Sequence, residues 1–353
     1  MAGDAVRHDA GALADWARGL LGAVGLQDTL ARDVAEVLVE GDLLGHDTHG
    51  LALLPGYLGE LERGAMTRAG EPRTVSQRSA AAAWDGGRLP GPALVRRALA
   101  WAVPRAREHG TAVVAIGRSH HVACLAAYLE APARDGLLVE IHSADPAVAS
   151  VAPFGGTRAV FTPDPLALGI PTSGDPVLID VSASVTTNGM SARLAAGGER
   201  GAHRWWMDAS GAPTDDPAVL AARPPGTILP LGGLEAGHKG YGLALAVEAL
   251  TGGLAGHGRA DPPEGWGASV CVRLTDPAAF GGRAAFERQL DHLVAACRAS
   301  PPRDPAVPVR LPGERALAAK RAQLRDGIAL HRSILPALAP WVQRLGMPAP
   351  APR

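Results

Sequence analysis

The sequence predicts an α+β fold, and three observations carry that expectation. Apolar residues at helical spacing dominate both ends of the chain. Apolar runs of strand length fill the middle. Strands and helices there alternate too irregularly for a regular doubly wound sheet. Two units are expected: a discontinuous helical domain from residues 1–72 and 308–353, and an α+β domain over 73–307 with an irregular excursion at 190–226.

Each element is justified by local pattern. Leu13, Trp16, Leu20 and Val24 recur at helical spacing behind Asp9, which suits an N-cap, so a helix is expected over 9–24. Leu30, Val34, Val37 and Leu38 predict a second over 28–43. A third, over 51–63, carries Pro55 in its first turn, where proline is tolerated. Short strands are expected at 73–77 and 80–84, with Asp85-Gly86-Gly87 as the turn. A helix over 92–109 contains Pro104, which predicts a kink or an early end. Strands at 111–116 and 137–142 flank a helix containing Tyr128, and two more short strands are expected at 166–170 and 177–181. Residues 190–226 are rich in Gly, Pro and Asp and predict little regular structure. Then come a helix (240–254), a strand (270–274), a helix (284–298), a proline-rich joint, and helices at 313–326 and 332–345.

Composition narrows the function classes. The 353 residues are 47% hydrophobic and 20% charged with a net charge of -1. That argues against a disordered chain and against a nucleic-acid binder. Cys124, Cys271 and Cys297 are too few and too scattered for a disulfide framework or zinc knuckle. No basic head with a long apolar run opens the chain, and no apolar stretch approaches the ~20 residues of a membrane span. A cytoplasmic protein that uses neither membrane nor nucleic acid is expected. Only Lys239 and Lys320 of the 34 basic residues are lysine, so a retained lysine is mildly informative.

Two histidine-bearing stretches stand out. Gly45-His46-Asp47-Thr48-His49-Gly50 lies between two amphipathic runs and sets imidazoles, a carboxylate and a hydroxyl between glycines. Arg118-Ser119-His120-His121 comes roughly 70 residues later. An imidazole exchanges protons near neutral pH, so the two together read as halves of an acid–base site. Neither histidine pair has a Glu or Cys at a supporting spacing, so no metal site is expected. Asp180 ends an apolar strand before Ser182 and Ser184; it anchors such a relay, holds a ribose hydroxyl, or simply caps a turn. No GxGxxG comes after a strand and no P-loop is present. Gly237-His238-Lys239-Gly240-Tyr241-Gly242 opens the expected helix at 240–254 and reads either as an anion site or as a glycine turn with a solvated lysine. Trp205-Trp206 is a pocket wall or, more commonly, core.

Taken together, eight segments resemble the type-2 malate/L-lactate dehydrogenase family, which includes sulfolactate and ureidoglycolate dehydrogenases and Δ1-piperideine-2-carboxylate reductases. They are GDLLGHDTHG (41–50), GRSHHVA (117–123), DPAVASVAPFGG (145–156), DPLALGIP (164–171), IDVSAS (179–184), DASGAPTDDP (208–217), HKGYGLAL (238–245) and PGE…DGI (312–328). The resemblance implies a non-Rossmann NAD(P)-binding domain with a largely antiparallel sheet and a homodimer. It implies NADH or NADPH as cofactor and hydride transfer to a 2-oxo acid or cyclic imine. By position His49 is the proton donor, with Thr48 in place of the family's Ser, and His121 is a second acid–base residue. Ala144, Asp180, Val181, Ser182, Lys239, Gly240 and Arg321 match cofactor contacts, as does His121. Leu53, Tyr57 and Arg118 fall on the substrate side.

The departures bear on the substrate. Leu53 stands where the family carries an arginine that clamps the substrate carboxylate, and leucine offers no equivalent of a bidentate guanidinium. Met190 replaces a lysine, His120 an asparagine, and Asp164 the asparagine of the family's NPLA motif. These changes predict a small-molecule substrate that is larger and less acidic than malate or lactate, such as an imine or ketone of specialised metabolism. The alternative is an acid–base cyclase or isomerase that has lost the redox step. A non-enzymatic binding protein is disfavoured by the paired histidines and Lys239.

Overall fold

The computed structural model describes residues 6–353, so the first five residues of the expected N-terminal helical unit lie outside the described residues. A short strand β1 (Arg7–His8) enters α1 (Ala10–Ala23), which starts where the Asp9 carboxylate accepts the Ala12 N–H at 3.0 Å. α2 (Asp28–Leu43) buries Leu30, Val34, Val37 and Leu38, the residues whose spacing predicts it. α3 (Leu54–Glu62) keeps Pro55 in its first turn. Next come β2 (Arg73–Gln77), β3 (Ala81–Asp85), α4 (Gly91–His109) and β4 (Thr111–Ser119). The helix α4 does not end at Pro104. The exposed proline sits opposite Ala98, Ala102 and Ala106, whose burial keeps the helix regular on the packed side. After β4 the expected helix containing Tyr128 is only a 3₁₀ turn, Leu125–Tyr128, and the five-residue α5 (Glu130–Arg134), which holds Pro132.

β5 (Leu138–Ala144), β6 (Pro165–Ile170) and β7 (Val177–Ser182) come next. The 190–226 excursion is more regular than its composition suggests. It begins in α6 (Asn188–Ala196), capped by the Thr187 hydroxyl accepting the Met190 N–H at 3.1 Å. β8 (Trp206–Met207), β9 (Pro213–Thr214) and β10 (Thr227–Ile228) then form a small three-stranded sheet over a core that includes the fully buried Trp206. α7 (Gly233–Glu248) bends at Ala236 and continues as a wide turn, Ala249–Gly253. β11 (Ala268–Thr275), α8 (Arg283–Ala299), α9 (Glu314–Asp326), β12 (Ile328–Ala329) and α10 (Ile334–Leu345) complete the chain.

The main sheet runs β2-β3-β4-β11-β5-β6-β7 and is antiparallel except for the β3–β4 pair. α4 is the crossover that a parallel pair requires. β11 arrives late in sequence yet lies between β4 and β5, and its near-continuous burial (Ala268 to Val272) matches a central strand. Leu317, Ile334 and Leu338 from the C-terminal helices share one core with Leu13 and Leu20 of α1 and Val114 and Val272 of the sheet. No helix of the described residues is long and apolar enough to cross a membrane.

Candidate active site

The loop after α2 is held by a buried carboxyl. Asp42 accepts the Leu51 N–H at 2.8 Å, and a Cβ on Gly50 would come within 2.3 Å of its carboxylate oxygen. Glycine at 50 thus lets the loop close against α2, and burial pushes Asp42 up to about 7. This closure sets His49 facing the segment after β4. There the His121 ring lies 6.0 Å from the His49 ring, centroid to centroid, with the planes 28° apart. The two remote histidine turns therefore meet, and both line one cavity of about 240 Å³.

The hydrogen bonds around each ring define its chemistry. Thr48 Oγ1 lies 2.8 Å from His49 Nδ1, which leaves Nε2 for a bound molecule. The Ala123 N–H donates to His121 Nδ1 at 3.2 Å, so that nitrogen carries a lone pair and Nε2 the proton. Tyr57 Oη stands 2.9 Å from the same Nδ1 and donates to the His121 carbonyl at 3.1 Å. Burial, with repulsion from His46 and Arg193, lowers His49 to about 4. Burial and the neighbouring His49 and His120 hold His121 well below its ordinary range. Both rings are neutral near pH 7.

The remaining expected residues divide clearly. Leu53 lines the cavity. Tyr57 is fully buried and orients His121 from behind, so it is not a substrate contact. Arg118 turns away, forking onto Glu264 at 3.0 Å and Asp85 at 3.3 Å, and so is not one either. His120, adjacent to His121, faces the opposite way and pairs with Glu60 at 3.1 Å. Asp180 is outside the cavity lining; its carboxylate accepts the Ala126 N–H at 2.9 Å and so shapes the turn after His121. Ala144 is buried beside Ser143, which does line the cavity, and Ser182 pairs in register with Pro165, another lining residue. Val181 is 41% exposed.

The Gly240 N–H donates to the Leu231 carbonyl at 3.1 Å, and a Cβ there would strike Leu231 N at 2.3 Å, so this glycine serves close packing. Lys239 is exposed and lines none of the cavity. Arg321 is paired with Asp175 at 2.8 Å, also away from the cavity.

Several lining residues escape the sequence reading. The Trp266 ring lies 4.7 Å from the His121 ring and is tilted 34° against it, and Asp145, Thr162 and Asn188 supply polar edges. A signal for Trp266 exists: an aromatic ring between Gly265 and Gly267, directly before an apolar strand. Gly189 packs beside His49 and Thr48, where a Cβ would make ordinary contact at 3.7 Å with His49 Cε1 and with Thr48 Cβ. Imidazole and indole faces and the glycine at 189 dominate this lining, with the Asp145 carboxyl among its polar groups. No Arg or Lys lines the cavity among the described residues.

The profile described as malate/L-lactate dehydrogenase matches residues 9–339. The chain is 31% identical over 341 residues to an L-lactate dehydrogenase of Cupriavidus necator, covering 95% of this chain and 96% of that one. It is 30% identical to a Δ1-pyrroline-2-carboxylate reductase of Ancylobacter novellus, covering 92% and 94%. Among solved structures, a dehydrogenase from Sinorhizobium meliloti superposes with a TM-score of 0.81 at 32% identity, over 95% of this chain and 97% of that one.

Proposed function

This chain belongs to the malate/L-lactate dehydrogenase family, and from that premise we propose that it is an NAD(P)H-dependent reductase acting on the C=N or C=O carbon of a small molecule other than malate or lactate. One observation carries the substrate side of the reading: the cavity lining holds two neutral imidazoles and Leu53 but no arginine or lysine among the described residues. A carboxylate next to the reacting carbon would be desolvated there without a charge-assisted partner, which is costly. An imine or ketone without that carboxylate meets no such penalty.

The cavity suits a nicotinamide. Its ring would sit between the histidine side and the Asn188–Gly189 floor, with Asn188, Thr162 and Ser143 available to the carboxamide. The cofactor, when bound, supplies the hydride. The chain's own contribution is the proton. His49 Nε2 handles it at the reacting nitrogen or oxygen, and Thr48 holds the opposite ring nitrogen. Neutral His49 is ready to take the proton in the oxidative direction; in the reductive direction it must first be charged, so that direction gains as pH falls toward about 4. His121, with Nε2–H fixed by the Ala123 N–H donating to Nδ1, donates a hydrogen bond to developing negative charge. Trp266 covers its ring and excludes water.

A fluorescence titration with NADH and NADPH, followed by turnover assays, tests this. Tight binding of either nucleotide with reduction of cyclic imines or ketones is the expected result. Efficient oxidation of malate or lactate would refute the substrate assignment. Absence of nucleotide binding up to millimolar concentrations would favour a non-redox acid–base enzyme on the same fold.

We also propose that the working unit is a homodimer. From Gly242 to Leu254 the outward side of α7 and its continuation presents Gly242, Leu243, Leu245, Ala246, Ala249, Leu250, Gly253 and Leu254, with no charge among them. Such a face suits a second copy of the chain.

A further inference from the structure

Outside the cavity, three chemically different side chains converge that the acid–base site does not use. His46 lies in the loop before His49, Cys124 in the turn after His121, and Asp180 near the end of β7. One ligand atom from each lies within 4.8 Å of the others. Cys124 Sγ is 3.8 Å from Asp180 Oδ2. Two tetrahedral ligands at bond lengths of ~2.3 and ~2.1 Å would stand roughly 3.6 Å apart, so this pair is close to ligating separation as it stands. The His46 ring has no hydrogen-bond partner among the described residues and is free to turn the remaining distance. The oxygen of Asp180 that faces Cys124, Oδ2, also accepts the Ala126 N–H at 2.9 Å, which fixes the carboxylate in place and leaves that oxygen a second lone pair for an ion.

We propose that His46, Cys124 and Asp180 bind a borderline-soft divalent cation, Zn²⁺ foremost, through imidazole nitrogen, thiolate sulfur and carboxylate oxygen. The donor set selects against Mg²⁺ and Ca²⁺, which take oxygen ligands. A fourth position remains for water. Binding expels the thiol proton to solvent, together with any proton on the carboxyl, and the two resulting anions neutralise the dication in a mostly buried place. Affinity therefore rises with pH. The absence of a metal site expected from sequence rested on spacing alone. Here the ligands are 78 and 56 residues apart, so only the fold brings them together.

Occupancy ties the loop bearing His49 to the turn following His121, with a ligand three residues from each histidine. The ion thus acts as a clamp on both walls of the cavity. The inference is independent of the redox reading, because its readout is spectral.

The test is a Co²⁺ titration of the tag-free full chain in a Cys297→Ser background, which removes the exposed thiol. The expected result is a thiolate-to-cobalt charge-transfer band saturating at one ion per chain and displaced by Zn²⁺. Cys124→Ala, which leaves a small apolar side chain in the buried place, should abolish the band. His46→Gln, at a half-buried loop position, should weaken binding at least tenfold. No band in the parent protein overturns the proposal, as does a band that survives Cys124→Ala or an affinity unchanged in His46→Gln. Circular dichroism of both variants verifies folding, and either one alone decides the question.

Discussion

Asp164 is fully buried, with one oxygen 2.5 Å from the Thr162 hydroxyl and the other without a partner. Burial, reinforced by Glu248, raises it to about 8. The folded chain therefore holds a proton there that the unfolded chain releases above about pH 4. Stability from the neutral form is present at low pH and declines as pH rises from about 4 to about 8. Asp164→Asn removes that dependence. Its stability relative to the parent should grow over this window to of order 1–3 kcal/mol at pH 8, read from urea unfolding at several pH values. Parallel pH profiles for the two proteins would contradict a neutral Asp164. Leu53 yields the functional counterpart. Leu53→Arg places a guanidinium at the cavity and should raise kcat/KM for malate or lactate at least tenfold, equivalent to ~1.4 kcal/mol. No gain would mean that the missing cation is not what excludes a carboxylate. At this scale the sequence is partly legible. His49 announces itself through residue type and the adjacent Gly50, and His121 through its pairing with His120. The outward turn of Arg118 and the buried backing role of Tyr57 do not, because side-chain direction depends on partners such as Glu264 that lie 146 residues away.

Among elements, those with strong apolar period are legible to within a few residues: α1, α2, α4 and the late helices α9 and α10. Where local pattern misleads, the cause is shared: tertiary packing overrides a local signal. α4 shows it best. Proline removes one backbone hydrogen bond and crowds the preceding turn, yet burial along Ala98, Ala102 and Ala106 carries the helix to His109. Pro104→Ala should then stabilise the protein, because the full helix bonding returns at an exposed position. The intrinsic gain of about 3 kcal/mol is reduced by the greater freedom of the unfolded alanine chain, leaving roughly 1–2 kcal/mol. Calorimetry reads this as a higher Tm, and a lower Tm would show that proline at 104 is needed for packing on the sheet. α6 errs the other way. Its Gly, Ser and Ala content looks irregular, but the Thr187 cap and the Trp206 indole donating to Ser191 at 3.0 Å hold it helical.

For the whole molecule, sheet order is beyond local pattern, since β11 inserts between strands that precede it by more than 120 residues. The accumulated motifs supply the family, whereas α7 supplies what periodicity alone does not, a face left over once the fold is complete. Gly237, Gly240, Ala244 and Val247 are buried on one side of it, and the opposite side holds only glycine, alanine and leucine from 242 to 254. Small residues allow two backbones to approach closely, and the leucines at 243, 250 and 254 recur at seven and four residues, one stripe along the helix. A two-fold pairing of this stripe with itself removes it from water in both copies at once and leaves no open edge for further growth. Ala246→Glu puts a carboxylate in the middle of that face without touching the chain's own core. Analytical ultracentrifugation should find the parent at twice the mass of the chain and the variant at the single-chain mass, with an unchanged circular dichroism spectrum. If the parent sediments as a monomer at micromolar concentration, or the variant remains a dimer, this helix is not where two copies meet.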